Sequence, residues 1–259
     1  MTVLLTMIDG ARPDAITSAH CPTLNQLKTS GASTFRARSV MPSITLPCHM
    51  SIFHSVPPTR HGIVSNTWVP MARPLPGLVE QANANGLRCA FFYNWEPLRN
   101  LSQPGQLAMA HFKNSARTED GDLIMAAEAA HYLSAEQPDF AFVYFGTVDE
   151  IGHKHGWMSE EYLAQLEQVD GALQTVLDAL PADSTVLVQS DHGGHDRSHG
   201  TDSAEDMTIP WLIAGPTIRS NHEIEAEVSL LDTAPTLARL LDVAPDAAWE
   251  GRCVEEIFV

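Results

Sequence analysis

Short apolar runs alternate with longer amphipathic stretches along nearly the whole chain. Val3–Ile8, residues 87–93, Phe140–Phe145, Thr185–Gln189 and residues 209–214 are each the length of a buried strand and rich in β-branched or aromatic residues. Between them lie helical patterns. Pro22–Ser30 puts Leu24 and Leu27 on one face and stops at Gly31, and residues 78–85 stop at Gly86. Residues 119–135 set Leu123, Ile124, Ala127, Ala130 and Leu133 inward ahead of Pro138. Ser159 opens a long helix that buries Leu163, Leu166, Val169, Leu173, Val176 and Leu180 and ends at Pro181. Thr45 reads as an N-cap with Pro47 in the first turn, and residues 232–241 as a last helix with Pro235 in its first turn. Residues 94–118, with Pro97 and Pro104, break the pattern and are expected to form a small excursion over the sheet. The alternation predicts an α/β fold over residues 1–259, one domain whose mainly parallel sheet is sandwiched between helices.

Composition narrows the classes. With 259 residues the chain can bury a full core, and 44% hydrophobic with 18% charged residues fits a soluble globular protein. A formal net charge of −17 argues against binding a nucleic-acid polymer, which calls for a basic surface. Small anionic substrates stay open, because bound cations invert the field locally. Cys21, Cys48, Cys89 and Cys253 form no C-x-x-C pair and are expected to be reduced thiols. No apolar run approaches the roughly 18 residues of a membrane span, and no basic segment with a cleavage site opens the chain. The expectation is a cytoplasmic protein with no membrane partner; the oligomeric state is left open.

The chemistry-bearing residues gather where strands end. Asp9 follows the first strand, and Asp149 with His153 follows the third, four apart and thus on one helical face. The fourth runs into Ser190-Asp191-His192-Gly193-Gly194-His195-Asp196-Arg197-Ser198-His199-Gly200, whose glycines let His192 and His199 face a common point. In open α/β sheets that end of a strand is where ligands bind. Taken singly, each feature has a plainer reading: Asp9 as a helix cap, Thr45 as an ordinary cap, the last stretch as a His-rich surface loop. Together, three strand-end carboxylates with histidines behind two of them suit divalent ions such as Zn²⁺, and paired ions form the usual clamp for displacement at phosphorus. A hydroxyl at a helix N-terminus, as at Thr45, sits where anions are favoured, and the Asn66 carboxamide can donate to an oxyanion.

In order along the chain, these motifs resemble the alkaline phosphatase superfamily, in its nucleotide pyrophosphatase/phosphodiesterase branch. Asp9-Gly10-Ala11-Arg12-Pro13-Asp14 matches the opening motif, Thr45 with Pro47 and His49 the nucleophile segment, and His61-Gly62-Ile63 through Asn66 the phosphate-binding loop. Asp149-x-x-Gly152-His153-x-x-Gly156, Asp191-His192-Gly193 and Ser198-His199-Gly200 match the metal motifs, and residues 232–237 resemble the superfamily's C-terminal helix.

The resemblance implies an alkaline-phosphatase-like fold with little or no cap domain. It implies one ion held by Asp149, His153 and His199, and a second by Asp9, Asp191, His192 and the Thr45 oxygen. The ions would be Zn²⁺, with Mn²⁺ as the alternative. Thr45 becomes the nucleophile, Asn66 holds a non-bridging oxygen, and the partner is a small phosphorylated substrate. His195 and Asp196 compete with His199 as ligands, and the family register alone favours His199. His155 is expected in solvent, His49 beneath the nucleophile, and Met50 and Phe53 in the core. Cys48 stands where many relatives have asparagine, and only a few residues separate His192 from His199 where larger relatives carry a long insertion.

The expected activity is hydrolysis of phosphoric diesters or nucleotide anhydrides through a phosphothreonine. A phosphomonoesterase or a carbon–phosphorus hydrolase is the alternative, and a non-catalytic metal-binding protein the competing class. A sulfatase would need a C-x-P-x-R context, which Cys48-His49-Met50-Ser51 lacks, and a phosphoglycerate mutase a longer chain with an inserted domain.

Overall fold

A computed structural model describes all 259 residues. In chain order the strands are β1 (Val3–Ile8), β2 (Ala32–Arg38), β3 (Cys89–Tyr93), β4 (Met109–Phe112), β5 (Phe140–Phe145), β6 (Thr185–Gln189), β7 (Thr208–Ala214) and β8 (His222–Glu223). The helices are α1 (Pro13–Ser18), α2 (Pro22–Ser30), α3 (Thr45–His54), α4 (Pro58–His61), α5 (Leu78–Ala84), α6 (Gly121–Glu136), α7 (Thr147–His155), α8 (Glu160–Asp178), α9 (Ala204–Met207) and α10 (Thr233–Leu240). All eight strands form one sheet in the order β4-β3-β5-β1-β6-β7-β2-β8. It is mainly parallel, as expected, and β7 alone runs against both of its neighbours.

The centre of the sheet is β1, which pairs in parallel with β5 on one side and β6 on the other. Its side chains alternate between two cores, as the period of two requires. Val3, Leu5 and Met7 join the cluster beneath α3, α5 and α10, whereas Leu4 and Ile8 join the cluster beneath α1, α2, α6 and α8. Burial on both faces is why β1, β5 and β6 read as continuous apolar runs. The pairing also aligns their ends: Ile8 lies beside Phe145, and Met7 beside Gln189. The residues that follow the three strands therefore emerge side by side.

Several expectations need correction. Ala32–Arg38 is a strand that the hydrophobic pattern did not reveal, because Arg36 and Arg38 project outward. Residues 94–118 contain the edge strand β4, paired in parallel with β3, and are not wholly irregular. The buried side of α6 carries Asp122, Met125, Ala126, Ala129 and Leu133, while Leu123 is 41% exposed. The helix is thus turned so that an acid faces inward. Thr45 is the first helical residue of α3 and no N-cap; the extended residue before the helix is Ile44.

Candidate metal-assisted phosphoryl-transfer site

Asp9 extends the β1–β5 ladder by one bond, its N–H donating to Phe145 O at 2.9 Å, which fixes where its carboxylate points. Gly10 then turns the chain at φ +70°, a conformation that side chains disfavour. A Cβ there would lie 3.1 Å from the Cα, Cβ and Oδ1 of Asp149, so the glycine also allows the two acidic residues to approach. Asp191 follows β6 and accepts from the Gly10 N–H at 3.3 Å. The three strand-end carboxylates thus converge, and all are buried.

The imidazoles approach from two sides. Nε2 of His192 is 3.2 Å from Thr45 Oγ1, 3.3 Å from Asp9 Oδ1 and 3.4 Å from Asp191 Oδ2. His153 and His199 flank Asp149, their Nε2 atoms 3.5 Å and 3.6 Å from its two oxygens. Each ring is anchored through its other nitrogen: His192 Nδ1 to Gly193 O, His153 Nδ1 to Arg197 O and His199 Nδ1 to Ser43 O, at 2.8–3.0 Å. A carbonyl partner makes Nδ1 the protonated nitrogen and leaves the Nε2 lone pair free, the usual arrangement behind metal-ligating histidines.

Two groups of donors are close enough to hold ions: Asp149, His153 and His199, and beside it Asp9, Asp149 and His192. Asp149 stands between the two groups. Asp191, expected as a ligand in the second, falls just outside that trio, with Oδ2 3.4 Å from His192 Nε2 and 3.5 Å from His49 Nδ1. Asp9 Oδ1, Asp149 Oδ1 and Asp191 Oδ2 are buried and without a hydrogen bond. Burial pushes the Asp9 and Asp149 carboxyls above the usual range and Asp191 up to about 8, with neighbouring carboxylates adding to the effect on Asp9 and Asp191. His192 is pushed down, by burial and then by His199. Orphaned carboxylate oxygens facing imidazole Nε2 atoms are a donor set that fits divalent cations, Zn²⁺ among them.

The other expected residues occupy defined places. Asn66 Oδ1 accepts the Leu46 N–H at 3.0 Å, taking over the cap that Thr45 does not provide, and leaves its NH₂ as the donor toward the cleft. The Thr45 N–H has no partner within the fold. His49 is buried under Thr45 and bonds its carbonyl at 2.8 Å; burial lowers its pKa to about 4. His195 turns away to the buried Asp206, at 2.7 Å, and joins neither donor group. Cys48 lies 3.3 Å from Ser39 Oγ, which in turn donates to the Asp191 carbonyl. Arg12 is tied to Asp14 and to Gly194 O and does not line the cleft.

Sequence reasoning missed three neighbours. Tyr144 donates its hydroxyl to Asp9 Oδ2. Trp157 bonds Gly10 O at 2.9 Å and stands edge-on to His153. Asp122 ties the start of α7 to the β3 end. The only available signal was position: a tyrosine one residue before the end of an apolar strand, and glycines at 152 and 194 where the indole leaves no room for a Cβ. The cleft above the donors measures about 430 Å³, and its wall includes Asn66, Trp95, Arg117 and Glu150. A larger cleft of about 840 Å³ between β2 and residues 225–232 holds no such donor set.

Comparison with known proteins identifies the family and the fold. Residues 3–209 match the family model described as type I phosphodiesterase / nucleotide pyrophosphatase. The chain is 28% identical over 191 residues to the catalytic subunit of GPI ethanolamine phosphate transferase 3 from Mus musculus, covering 70% of this chain and 17% of that protein. It is 27% identical over 221 residues to ectonucleotide pyrophosphatase/phosphodiesterase family member 3 from Rattus norvegicus, covering 74% and 24%. The chain therefore spans about a quarter or less of the length of these relatives.

Among solved structures, murine ectonucleotide pyrophosphatase/phosphodiesterase 5 superposes over the full length of both chains with a TM-score of 0.83 at 15% identity. A phosphonate monoester hydrolase from Agrobacterium radiobacter gives 0.80 at 15% identity, over 99% of this chain and 77% of that one. Both show the shared fold, which is alkaline-phosphatase-like. The chain belongs to the type I phosphodiesterase/nucleotide pyrophosphatase family, within the alkaline phosphatase superfamily.

Proposed function

We propose that the protein hydrolyses phosphoric diesters or nucleotide anhydrides with Thr45 as nucleophile and two divalent ions at the Asp/His groups. The observation that carries this reading is the buried Thr45 hydroxyl directed at His192 and flanked by two donor groups that share Asp149. One ion would be held by Asp149, His153 and His199. The other would be held by Asp9, Asp191, His192 and the Thr45 oxygen, with Asp149 beside it. When bound, the ions supply the positive charge that lowers the threonine pKa and neutralises charge on the entering and leaving oxygens.

The chain's own residues do the rest. Thr45 gives its hydroxyl proton to solvent as Oγ1 attacks phosphorus; the P–Oγ1 bond forms, and the ester or anhydride oxygen leaves with its substituent and takes up a proton from water. Water then cleaves the phosphothreonine, restoring the hydroxyl and releasing a phosphomonoester. The Asn66 NH₂ and the free Thr45 N–H donate to a non-bridging oxygen and strengthen as charge builds there.

Diesters fit this cleft better than monoesters. Its only Arg or Lys is Arg117, whose Nε pairs with Glu150 at 3.3 Å, and the remaining donors are neutral. A dianionic monoester calls for a free cationic fork. A monoesterase or phosphonate hydrolase becomes the better reading if Arg117 leaves Glu150 for the substrate. The test is kcat/KM for bis-p-nitrophenyl phosphate or a thymidine phosphodiester against p-nitrophenyl phosphate, with equal Zn²⁺ or Mn²⁺ loading and a chelator control. Diester preference with loss on chelation supports the proposal. A tenfold monoester advantage selects the second reading, and activity indifferent to chelation removes the metal.

A further inference from the structure

Asp122 lies in the first turn of α6, 1% exposed, with no Lys, Arg or His paired to it. A buried carboxylate needs compensation, and this one has four donors. Oδ1 accepts from Asn94 Nδ2 at 2.6 Å and from the Gly146 N–H at 3.0 Å. Oδ2 accepts from the Thr147 N–H at 3.0 Å and from the Thr147 hydroxyl. Gln165 Nε2 donates to that hydroxyl at 2.7 Å and so orients it toward Asp122.

The donors belong to segments that line the cleft. Asn94 precedes Trp95, Gly146 is itself on the wall, and Thr147 opens the helix that carries Asp149 and His153. Gly146 cannot cap α7, because it has no side chain. Nor can it be given one: a Cβ at 146 would lie 2.8 Å from Tyr144 Cε1 and 3.0 Å from Asn94 Oδ1. The unpaired N–H groups at this helix start therefore take their acceptor from another element.

We propose that Asp122 is a positioning residue: it caps α7 from outside and sets the rotation and height at which Asp149 and His153 meet their ion, in register with the Asn94–Trp95 wall. The proposal rests on the metal-centre reading above. It assigns to α6 a function beyond covering the sheet. Burial pushes the Asp122 carboxyl up to about 6 against the pull of its donors, so at neutral pH it is the charged, four-fold acceptor.

The test measures Zn²⁺ affinity of the full chain by chelator competition, and the visible spectrum of the Co²⁺-loaded protein. Asp122→Asn keeps the shape but turns an NH₂ toward N–H donors. The expected result is a folded protein that binds the Asp149–His153–His199 ion ten- to a hundredfold more weakly and the neighbouring ion less affected, since it keeps Asp9 and His192, with an altered cobalt spectrum. Thr147→Ser should match wild type, and Thr147→Ala should shift the same ion in the same direction. Leu166→Ala, a core variant of α8, should lower Tm without changing either affinity.

Asp122→Asn with both affinities and the spectrum unchanged overturns the proposal, as does Leu166→Ala shifting affinity equally. Should Asp122→Asn fail to fold, Thr147→Ala decides by the same thresholds. A wild-type chain that takes up neither ion fails the metal-centre reading itself, a different result from wild-type binding that ignores Asp122.

Discussion

The Thr45 hydroxyl lies 3.2 Å from Nε2 of His192, across 147 positions of sequence, with both residues buried. Because His192 Nδ1 is committed to Gly193 O, the nitrogen facing Thr45 is the one with the lone pair. The proposed nucleophile and the proposed ligand nitrogen are thereby held together, and Thr45 is the residue whose loss should be felt most. Thr45→Ala is expected to cut kcat on a diester by roughly 10³-fold or more, while the fold and most of the bound metal remain. Thr45→Ser should retain a measurable fraction. Turnover with metal content measured on the same samples checks both.

On the proposed reading Asn66 has two tasks, one at each end of its carboxamide. Asn66→Ala removes the donor to phosphate and also leaves the Leu46 N–H without its acceptor, and kcat should fall by about 10²-fold. Asn66→Asp keeps the acceptor but sets a carboxylate against an anionic substrate. It is expected to lose more activity than alanine while preserving thermal stability better. Paired kcat and Tm measurements separate the two tasks.

Tyr144→Phe removes the hydroxyl that donates to Asp9 Oδ2 and nothing else. A hydrogen bond to a charged group is worth about 1.5–3 kcal/mol. The variant should fold normally and bind metal roughly tenfold more weakly, as read by chelator competition.

Stability should depend on pH in opposite ways with and without metal. Asp9, Asp149 and Asp191 have raised pKa values in the fold, so the folded metal-free chain holds protons that the unfolded chain has released. Their contribution is lost as pH rises from the unfolded value of about 4 through their raised folded values, about 8 for Asp191. His49 and His61, both lowered to about 4 by burial, act the other way: their contribution is lost as pH falls below about 6.5. Above about pH 6.5, where the histidines no longer oppose the carboxylates, the metal-free chain should weaken toward pH 8.5. Bound cations keep the carboxylates ionised and abolish that decline. Scanning calorimetry with Zn²⁺ and with EDTA should show a Tm difference that widens from pH 6 to pH 8.5.

What could be read from the sequence tracks burial. β1, β5 and β6 are covered on both faces and show as unbroken apolar runs. β2 was invisible because Arg36 and Arg38 face outward near the sheet's edge, and β8 is only two residues long. β4 is a half-exposed edge strand of four residues. Asp9, Asp149 and Asp191 stood out as acids ending strands. Tyr144 and Asp122 did not, since a tyrosine in an apolar strand and an acid at a helix start are both ordinary; only the packing gives them their partners. The face of α6 was misread for the same reason: pattern alone assigns Leu123 inward and the acid beside it to solvent. His195 and His199 share a loop, and the partner that separates them, Asp206, lies on a different element.

The lateral pairing of β1 with β5 and β6 also acts on the path by which the chain folds. Asp9 reaches Asp149 and Asp191 only after β1 has found partners about 140 and 180 residues away, with Ile8 beside Phe145 and Met7 beside Gln189. Such long-range parallel pairings are slow, because loop closure comes before the contacts that reward it. A slip of one residue in either pairing would move a carboxylate by about 3.3 Å and invert its face. Misregistered sheets cannot assemble the donor groups, so ions bound there would act as proofreaders of strand register. Zn²⁺ should thus slow unfolding markedly and leave the refolding rate nearly unchanged, a pattern that stopped-flow chevrons with and without metal would display.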